Sequence, residues 1–220
     1  MVRRRFKFLI AVSCVLSLAA CGGRNDSEIV TQQNDAFNNR EARQCLSELK
    51  SKSVKFTPLP NQTFAGGCRI VDTIKLMDFG TPTTNLGAMT CPLASGFTAW
   101  AQNAVRPAAK QYLGSDVVRI ETMGTYSCRN INGGRSGKLS QHAFGNAIDI
   151  SAFILRDGRR VSVLDGWRGP KREQEFLRRL HESACKRFNT VLGPDYNGAH
   201  ANHFHFDMAQ SMKDGSTFCR

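Results

Sequence analysis

Near its C-terminal end the chain contains a segment that alternates strictly between polar and apolar residues, His203–Met208. Because successive side chains of a β-strand point to opposite faces, this pattern predicts a strand with His203, His205 and Asp207 on one face. The Phe and Met side chains on the other face are typical of a core. Three of the five histidines lie between His200 and His205. Clustered imidazoles repel one another when protonated, so the cluster indicates metal ligation.

A second polar motif covers Ser140–Ile150 and contains His142, Gly145 and Asp149. In a continuous strand the seven-residue spacing of His142 and Asp149 separates them by ~23 Å. Zinc–nitrogen bonds are ~2.1 Å long, so the two residues share a metal only if the chain turns back between them. Gly145 supplies the conformational freedom for such a turn. Two histidines and one carboxylate, with a fourth position open, are typical of a catalytic zinc site.

The cysteines indicate an exported, disulfide-bonded protein. Of eight cysteines, Cys14 and Cys21 belong to the N-terminal segment, and the other six are widely spaced. No two of them form a Cys-x-x-Cys pair, which argues against a thiolate zinc site or a thioredoxin-type site. We therefore predict three disulfides. The sequence leaves the connectivity open, and we favour the sequential pairing Cys45–Cys68, Cys91–Cys128 and Cys185–Cys219.

The N-terminal segment reads as an export signal. A basic stretch, Met1–Lys7, precedes an apolar run, Phe8–Ala20, that is too short to span a bilayer comfortably. Leu18-Ala19-Ala20-Cys21 resembles a bacterial lipobox, which predicts a signal peptide over residues 1–20 and a lipid on Cys21. A soluble secreted protein cut near Ala20 is the alternative. By resemblance to enterobacterial lipoprotein sorting, Gly22 rather than Asp after the cysteine favours the outer over the inner membrane, on the periplasmic side.

Composition excludes several classes of protein and of binding partner. With 41% hydrophobic and 22% charged residues, the chain is neither disordered nor a multi-span membrane protein. Thirty Lys and Arg against 18 Asp and Glu give a net charge of +12, which favours anionic partners. No basic patch is interleaved with aromatic residues, and export argues against a nucleic-acid partner.

Local patterns predict one α+β domain over residues 42–220, preceded by a flexible polar tether over residues 21–41. Strands and helices do not alternate as in βαβ units, so we expect a small, mostly antiparallel sheet flanked by helices. The predicted elements are a strand Arg69–Leu76, a helix Pro92–Leu113 kinked or split at Pro107, a strand Val117–Glu121, a hairpin of Asn146–Phe153 with Arg159–Leu164, and a helix Glu173–Phe188.

The two polar motifs together resemble those of known zinc enzymes. Ser-x-His-x-x-Gly-x-Ala-x-Asp followed by His-x-His is similar to the LAS group of peptidoglycan peptidases, which includes D-alanyl-D-alanine carboxypeptidases, penicillin-insensitive murein endopeptidase and lysostaphin-type enzymes. The stretch Cys91–His205 resembles the bacterial extensin-like C-terminal domain family more closely, through Cys128-Arg129, the Ser140–Asp149 motif and Gly-Pro-Asp-Tyr-Asn…His-Phe-His-x-Asp. The resemblance implies a fold like that of the LAS and hedgehog domains.

The resemblance also implies roles for single residues. His142, Asp149 and His205 would be zinc ligands, His203 a base or transition-state stabiliser, and Arg129 a substrate contact. Ser140 belongs to the same motif. Apart from the resemblance, His200 is either a partner of the site residues or a loop residue, and Asp207 either orients a histidine or pairs with a surface arginine. The carboxypeptidase branch has a Glu three residues before its last zinc histidine, but this chain has Asn202 at that position. The chain therefore resembles the His-x-His branch, to which the endopeptidases belong.

The function that follows from the resemblance is zinc-dependent hydrolysis of a peptide bond next to D-alanine in peptidoglycan stems or cross-links, with D,D-endopeptidase activity favoured. The alternative is a zinc-containing lipoprotein that binds peptidoglycan without cleaving it.

Overall fold

The computed structural model describes residues 29–33, 37, 40–209 and 216–220. The predicted signal peptide and Cys21 lie outside these residues. Within the described ranges, no helix has the length and apolar character that a bilayer crossing requires. The strands are β1 (Ile29–Gln33), β2 (Lys55–Pro58), β3 (Asn61–Phe64), β4 (Arg69–Ile70), β5 (Thr73–Asp78), β6 (Ala88–Thr90), β7 (Val117–Gly124), β8 (Ala147–Leu155), β9 (Arg160–Ser162), β10 (Thr190–Leu192), β11 (Phe204–Asp207) and β12 (Phe218–Cys219).

A six-stranded sheet forms the centre of the domain. Its strands run in the order β12-β10-β11-β8-β7, and β9 also pairs with β8. All pairings are antiparallel except that of β10 with β12. Two three-stranded sheets, β1-β3-β4 and β2-β5-β6, complete the β structure. The predicted α+β class with mostly antiparallel strands is confirmed.

The helices of the described residues pack against the central sheet or against one another. They are α1 (Arg40–Ser51), α2 (Cys91–Trp100), α3 (Arg106–Ala108), α4 (Val163–Gly166) and α5 (Lys171–Ala184). Trp100 is fully buried, stacks its ring edge against Phe206 of β11, and donates its indole N–H to the carbonyl of Leu180 at 3.1 Å. One residue therefore joins both long helices to the strand that carries the histidines.

The helix predicted over Pro92–Leu113 exists, and Pro107 does not break it. Wider, π-type turns at Ala101–Val105 and Ala109–Leu113 flank α3, which contains the proline. Because proline lacks an N–H and crowds the preceding turn, a local change of helical pitch accommodates it without a break. Gly114, in the left-handed conformation at φ 68°, ends the helix.

Other predicted elements keep their places with shifted ends. The strand predicted over Arg69–Leu76 is divided into β4 and β5 by Asp72, which has φ 49° and whose N–H donates to Asn61 Oδ1 at 2.9 Å. The predicted hairpin is β8 with β9, and it ends at Ser162 because that hydroxyl caps α4. The second predicted helix is α5, which ends before the buried Phe188.

Part of the segment predicted as a tether is structured. Ile29–Gln33 forms β1 and pairs antiparallel with β3, and α1 begins at Arg40. The tether prediction therefore does not hold for these residues.

All six predicted cysteines form disulfides, but two of the three predicted pairings are wrong. The bonds are Cys45–Cys91, Cys68–Cys128 and Cys185–Cys219, so only the last predicted pair is confirmed. Helix α1 packs on α2, which brings Cys45 to the start of α2. The sequential pairing failed because it assumed that cysteines close in sequence are also neighbours in the fold.

Candidate metal centre

Two neighbouring strands place the first two members of the site. In the antiparallel pairing of β11 with β8, His205 lies directly opposite Asp149. Side chains of directly paired residues point to the same face of a sheet. The register therefore brings His205 Nδ1 to 2.9 Å from Asp149 Oδ1, with both residues buried.

A tight turn before β8 places the third member, His142. The turn covers Gln141–Phe144, and the Ser140 hydroxyl caps it by accepting the N–H of His142 at 3.3 Å. Gly145 ends the turn with φ 62°, so the chain folds back as the sequence predicted. As a result His142 Nε2 lies 3.0 Å from Asp149 Oδ2 and 3.2 Å from His205 Nδ1.

Outer contacts fix the orientation of both rings. His142 Nδ1 donates to the carbonyl oxygen of Thr125 at 3.2 Å, and His205 Nε2 is 3.0 Å from Asp207 Oδ2. Metal-binding histidines commonly donate their second ring N–H to a carbonyl or carboxylate in this way. These bonds leave His142 Nε2 and His205 Nδ1 directed toward Asp149.

The three predicted ligands thus form one buried group, with a ligand atom of each within 4.8 Å of the others. Two imidazoles and one carboxylate fit zinc, which accepts nitrogen and oxygen ligands in a tetrahedral site. A second group, His181 with Cys185 and Cys219, is equally close. Its cysteines are joined in a disulfide and offer no thiolates, so it does not fit a metal.

The electrostatics of the group favour an ionised carboxylate. Burial alone would raise the pKa of Asp149, but hydrogen bonds from His142 and His205 outweigh it and hold that pKa well below its usual range. Burial alone would lower the pKa of His205, yet its bonds to Asp149 and Asp207 outweigh burial and raise that pKa to about 9. A metal binding at neutral pH therefore displaces a proton from His205.

Two further imidazoles lie beside the group. His203 Nε2 is 3.6 Å from Asp149 Oδ1, and the ring of His200 lies 5.2 Å from that of His203. Burial lowers the pKa of His203. Burial first, and then the neighbouring His203, lower the pKa of His200 to about 4. Both rings are consequently neutral near pH 7 and available as proton acceptors.

Arg129 contacts the same carboxylate from the other side. One guanidinium nitrogen lies 3.4 Å from Asp149 Oδ2, while 37% of the side chain stays exposed. The Cys68–Cys128 bond fixes the preceding residue, and the carbonyl of Arg129 accepts the N–H of Ser140. Arg129 therefore has a firm backbone position and a side chain that reaches solvent.

The group faces a cleft of about 470 Å³, which is within the usual range for small-molecule sites. Six of the predicted site residues line this cleft: Arg129, Ser140, His200, His203, His205 and Asp207. Tyr196 and Phe218 line it as well. The structure thus gathers the predicted metal-binding, catalytic and supporting residues at one place in the fold, whereas Cys21 lies outside the described residues.

A comparison with protein families identifies the domain. Residues 43–220 match the family model described as extensin-like protein C-terminus. The chain belongs to this family. No curated protein matches the chain, and no solved structure does. The extensin-like domain therefore covers the chain from Arg43, the fourth residue of α1, to Arg220.

Sequence reasoning missed several residues of this extensin-like domain that hold the imidazoles. Asn202 and Asn197 accept hydrogen bonds from His203 and His200, at 2.8 and 2.7 Å. The ring of Tyr196 lies 5.5 Å from that of His200. Asn202 stands one residue before His203, and Asn197 stands three residues before His200. This spacing is the sequence signal that could have identified them. The Thr125 carbonyl had no signal, because a main-chain oxygen is present at every residue.

Proposed function

We propose that this extensin-like domain is a zinc-dependent peptidoglycan peptidase that hydrolyses a peptide bond next to D-alanine in stem peptides or cross-links. The observation that carries the proposal is the convergence of His142 Nε2, His205 Nδ1 and the Asp149 carboxylate at the cleft. A remote relation to the LAS peptidases, stated above from the motifs alone, is part of the same proposal.

The roles of the residues follow from their positions. His142, Asp149 and His205 would hold the zinc ion, and two histidines with one carboxylate leave a position free for water or substrate. Bound zinc would polarise the scissile carbonyl and lower the pKa of its water to ~7. Arg129, partly exposed at the cleft, would bind a carboxylate of the stem peptide.

His203 is the group best placed to take a proton. Its Nε2 atom lies beside Asp149, and the amide of Asn202, unlike a Glu at that position, accepts no proton. A general base in this place contributes ~10²–10⁴-fold to the rate. Asp207 would act through His205, whose ring it orients.

The test is digestion of purified sacculi by the soluble domain, with muropeptide chromatography and zinc analysis of the same samples. We expect about one zinc per chain and release of cross-linked peptides. His205→Ala should lose zinc and activity together, because it removes a ligand. His203→Ala should keep zinc while turnover falls by ~10²–10⁴-fold. Zinc loss in His203→Ala with retention in His205→Ala would reverse these assignments.

The second candidate function is peptidoglycan binding without turnover. The contacts of Arg129 and the His203 imidazole with the ligand carboxylate favour it, since these contacts also suit a static recognition site. Wild-type protein that contains zinc and sediments with sacculi, but releases no muropeptides, would support this candidate and contradict the peptidase.

We further propose that the protein is a periplasm-facing lipoprotein anchored through Cys21, in the outer rather than the inner membrane. The lipobox-like sequence Leu18–Cys21 supports this placement. Cys21→Ser should release the protein from membranes or leave the precursor uncut. A wild-type protein found wholly in soluble periplasmic extracts, without lipid mass, would contradict the anchor.

A further inference from the structure

Two asparagines contact two neighbouring imidazoles in the same way. Asn202 Oδ1 lies 2.8 Å from His203 Nδ1, and Asn197 Oδ1 lies 2.7 Å from His200 Nδ1. The two imidazole rings are 5.2 Å apart, and His200 and His203 are each only 8% exposed. Asn197 is partly buried and Asn202 is exposed, so the two contacts lie where the buried rings meet the cleft surface.

These contacts decide where the ring proton is. The Oδ1 atom of an asparagine is an acceptor only, so each Nδ1 must carry the hydrogen and donate it. A neutral imidazole has one such hydrogen, which leaves Nε2 with a free lone pair. In water the neutral histidine side chain favours the opposite form, with the hydrogen on Nε2. The asparagines therefore act against the intrinsic preference of the ring.

The competing acceptor for His203 is too far away to reverse this result. An Nε2–H form would donate toward Asp149 Oδ1, but that distance is 3.6 Å, beyond a hydrogen bond. For His200 Nε2, the structure shows no hydrogen-bond partner within the described part of the chain. The short Nδ1 contacts thus outweigh the alternatives at both rings.

We propose that Asn202 and Asn197 are positioning residues that hold His203 and His200 as Nδ1–H tautomers, so that both Nε2 lone pairs are free. In His203 the proton-accepting atom is then Nε2, the ring nitrogen that lies beside Asp149. The inference rests on the proposed peptidase function for its catalytic meaning, but the tautomers themselves do not depend on activity.

The direct test is ¹⁵N NMR of the histidine side chains in the metal-free soluble domain, above the pH at which the two rings protonate. The signals are assigned with His203→Gln and His200→Gln. In the wild type, both rings should show a protonated Nδ1 and an unprotonated Nε2. Asn202→Ala should shift His203 toward the Nε2–H form and leave His200 unchanged, and Asn197→Ala should do the reverse. Asn202→Asp retains an oxygen acceptor and should keep the Nδ1–H form of His203.

Kinetics of the zinc-loaded variants supply the second measurement. Loss of a residue that orients a site group typically costs 10–100-fold, so kcat of Asn202→Ala should fall by about that factor. KM and zinc stoichiometry should stay at their wild-type values, a separation that a merely unstable variant does not give. Asn202→Asp should recover most of kcat.

The outcomes separate this inference from the proposed function. A wild-type His203 in the Nε2–H form overturns the inference, whether or not the protein cleaves muropeptides, and needs no variant that folds. A changed tautomer in Asn202→Ala with unchanged kcat overturns its catalytic part. Correct tautomers in a wild type that cleaves nothing support the positioning role and refute the peptidase.

Discussion

Replacing Gly145 by alanine tests whether the turn before β8 builds the site. Gly145 has φ 62°, and a Cβ atom added there would lie 3.1 Å from the carbonyl oxygen of Ala88. The left-handed conformation costs an alanine ~1–2 kcal/mol. The close contact requires the backbone of β6 to move, and such overpacking costs a further ~1–3 kcal/mol.

Gly158 provides a matched control. It also has a positive φ, 89°, in the hairpin turn between β8 and β9, but an added Cβ atom would meet nothing within 4 Å. Gly158→Ala should therefore show only the conformational cost. The free energy of unfolding of Gly145→Ala should be lower by ~2 kcal/mol more, which corresponds to a difference of about 4–8 °C in Tm for a domain of this size.

The two variants should also differ in metal binding. Gly145 directly follows the turn that carries His142, and its carbonyl accepts the N–H of Thr90 at 2.8 Å. A shifted turn moves His142 Nε2 away from Asp149, so zinc affinity should fall in Gly145→Ala and stay unchanged in Gly158→Ala. Denaturant unfolding and zinc titration measure both effects. Equal losses of stability in the two variants, or unchanged zinc affinity in Gly145→Ala, would refute the reasoning.

Three further predictions concern the disulfides, the outer contacts and pH. Replacing both Cys68 and Cys128 by serine opens a 60-residue loop and should lower the free energy of unfolding by ~4 kcal/mol, and peptide mapping that found Cys68 bonded elsewhere would contradict the fold. Asp207→Asn should weaken zinc binding ~10–100-fold in a direct titration, because it removes the carboxylate that orients His205. In the metal-free protein the pKa of His205 is raised to about 9, so its stabilising contribution is complete below pH ~6.5 and is lost as the pH rises through 9. In urea unfolding, the free energy of unfolding of His205→Gln should lack this decline with pH. An equal decline in the wild type and the variant would contradict the role given to His205.

The parts of the fold that the sequence predicted are those with a strong local pattern. Alternation over His203–Met208 predicted a strand and the common face of His203, His205 and Asp207. The Asp157-Gly158 pair predicted the hairpin, because this dipeptide suits the positive φ of a tight turn. The predicted ligand set also came together, because the left-handed conformation of Gly145 ends the turn that carries His142 just before β8.

The parts that the sequence did not predict depend on tertiary neighbours. Cys45 and Cys91 meet only because α1 packs on α2, and no local pattern encodes that contact. The burial of β11 is another example. Only the Phe and Met face was expected to be core, yet the structure buries all four residues, Phe204–Asp207. The polar face lies against the turn that carries His142 and borders the cleft.

The strand β11 shows why a short His-x-Asp sequence builds more of a metal centre than its length suggests. With a period of two, His205 and Asp207 lie on the same face, so one strand supplies a ligand and the carboxylate that orients it. The neighbouring strand needs to supply only Asp149 in register. His142 differs, because its ring is oriented by the main-chain oxygen of Thr125, which belongs to the chain just after β7. The His205 half of the site is therefore local to one strand, whereas the His142 half exists only once β7, the turn and β8 have assembled.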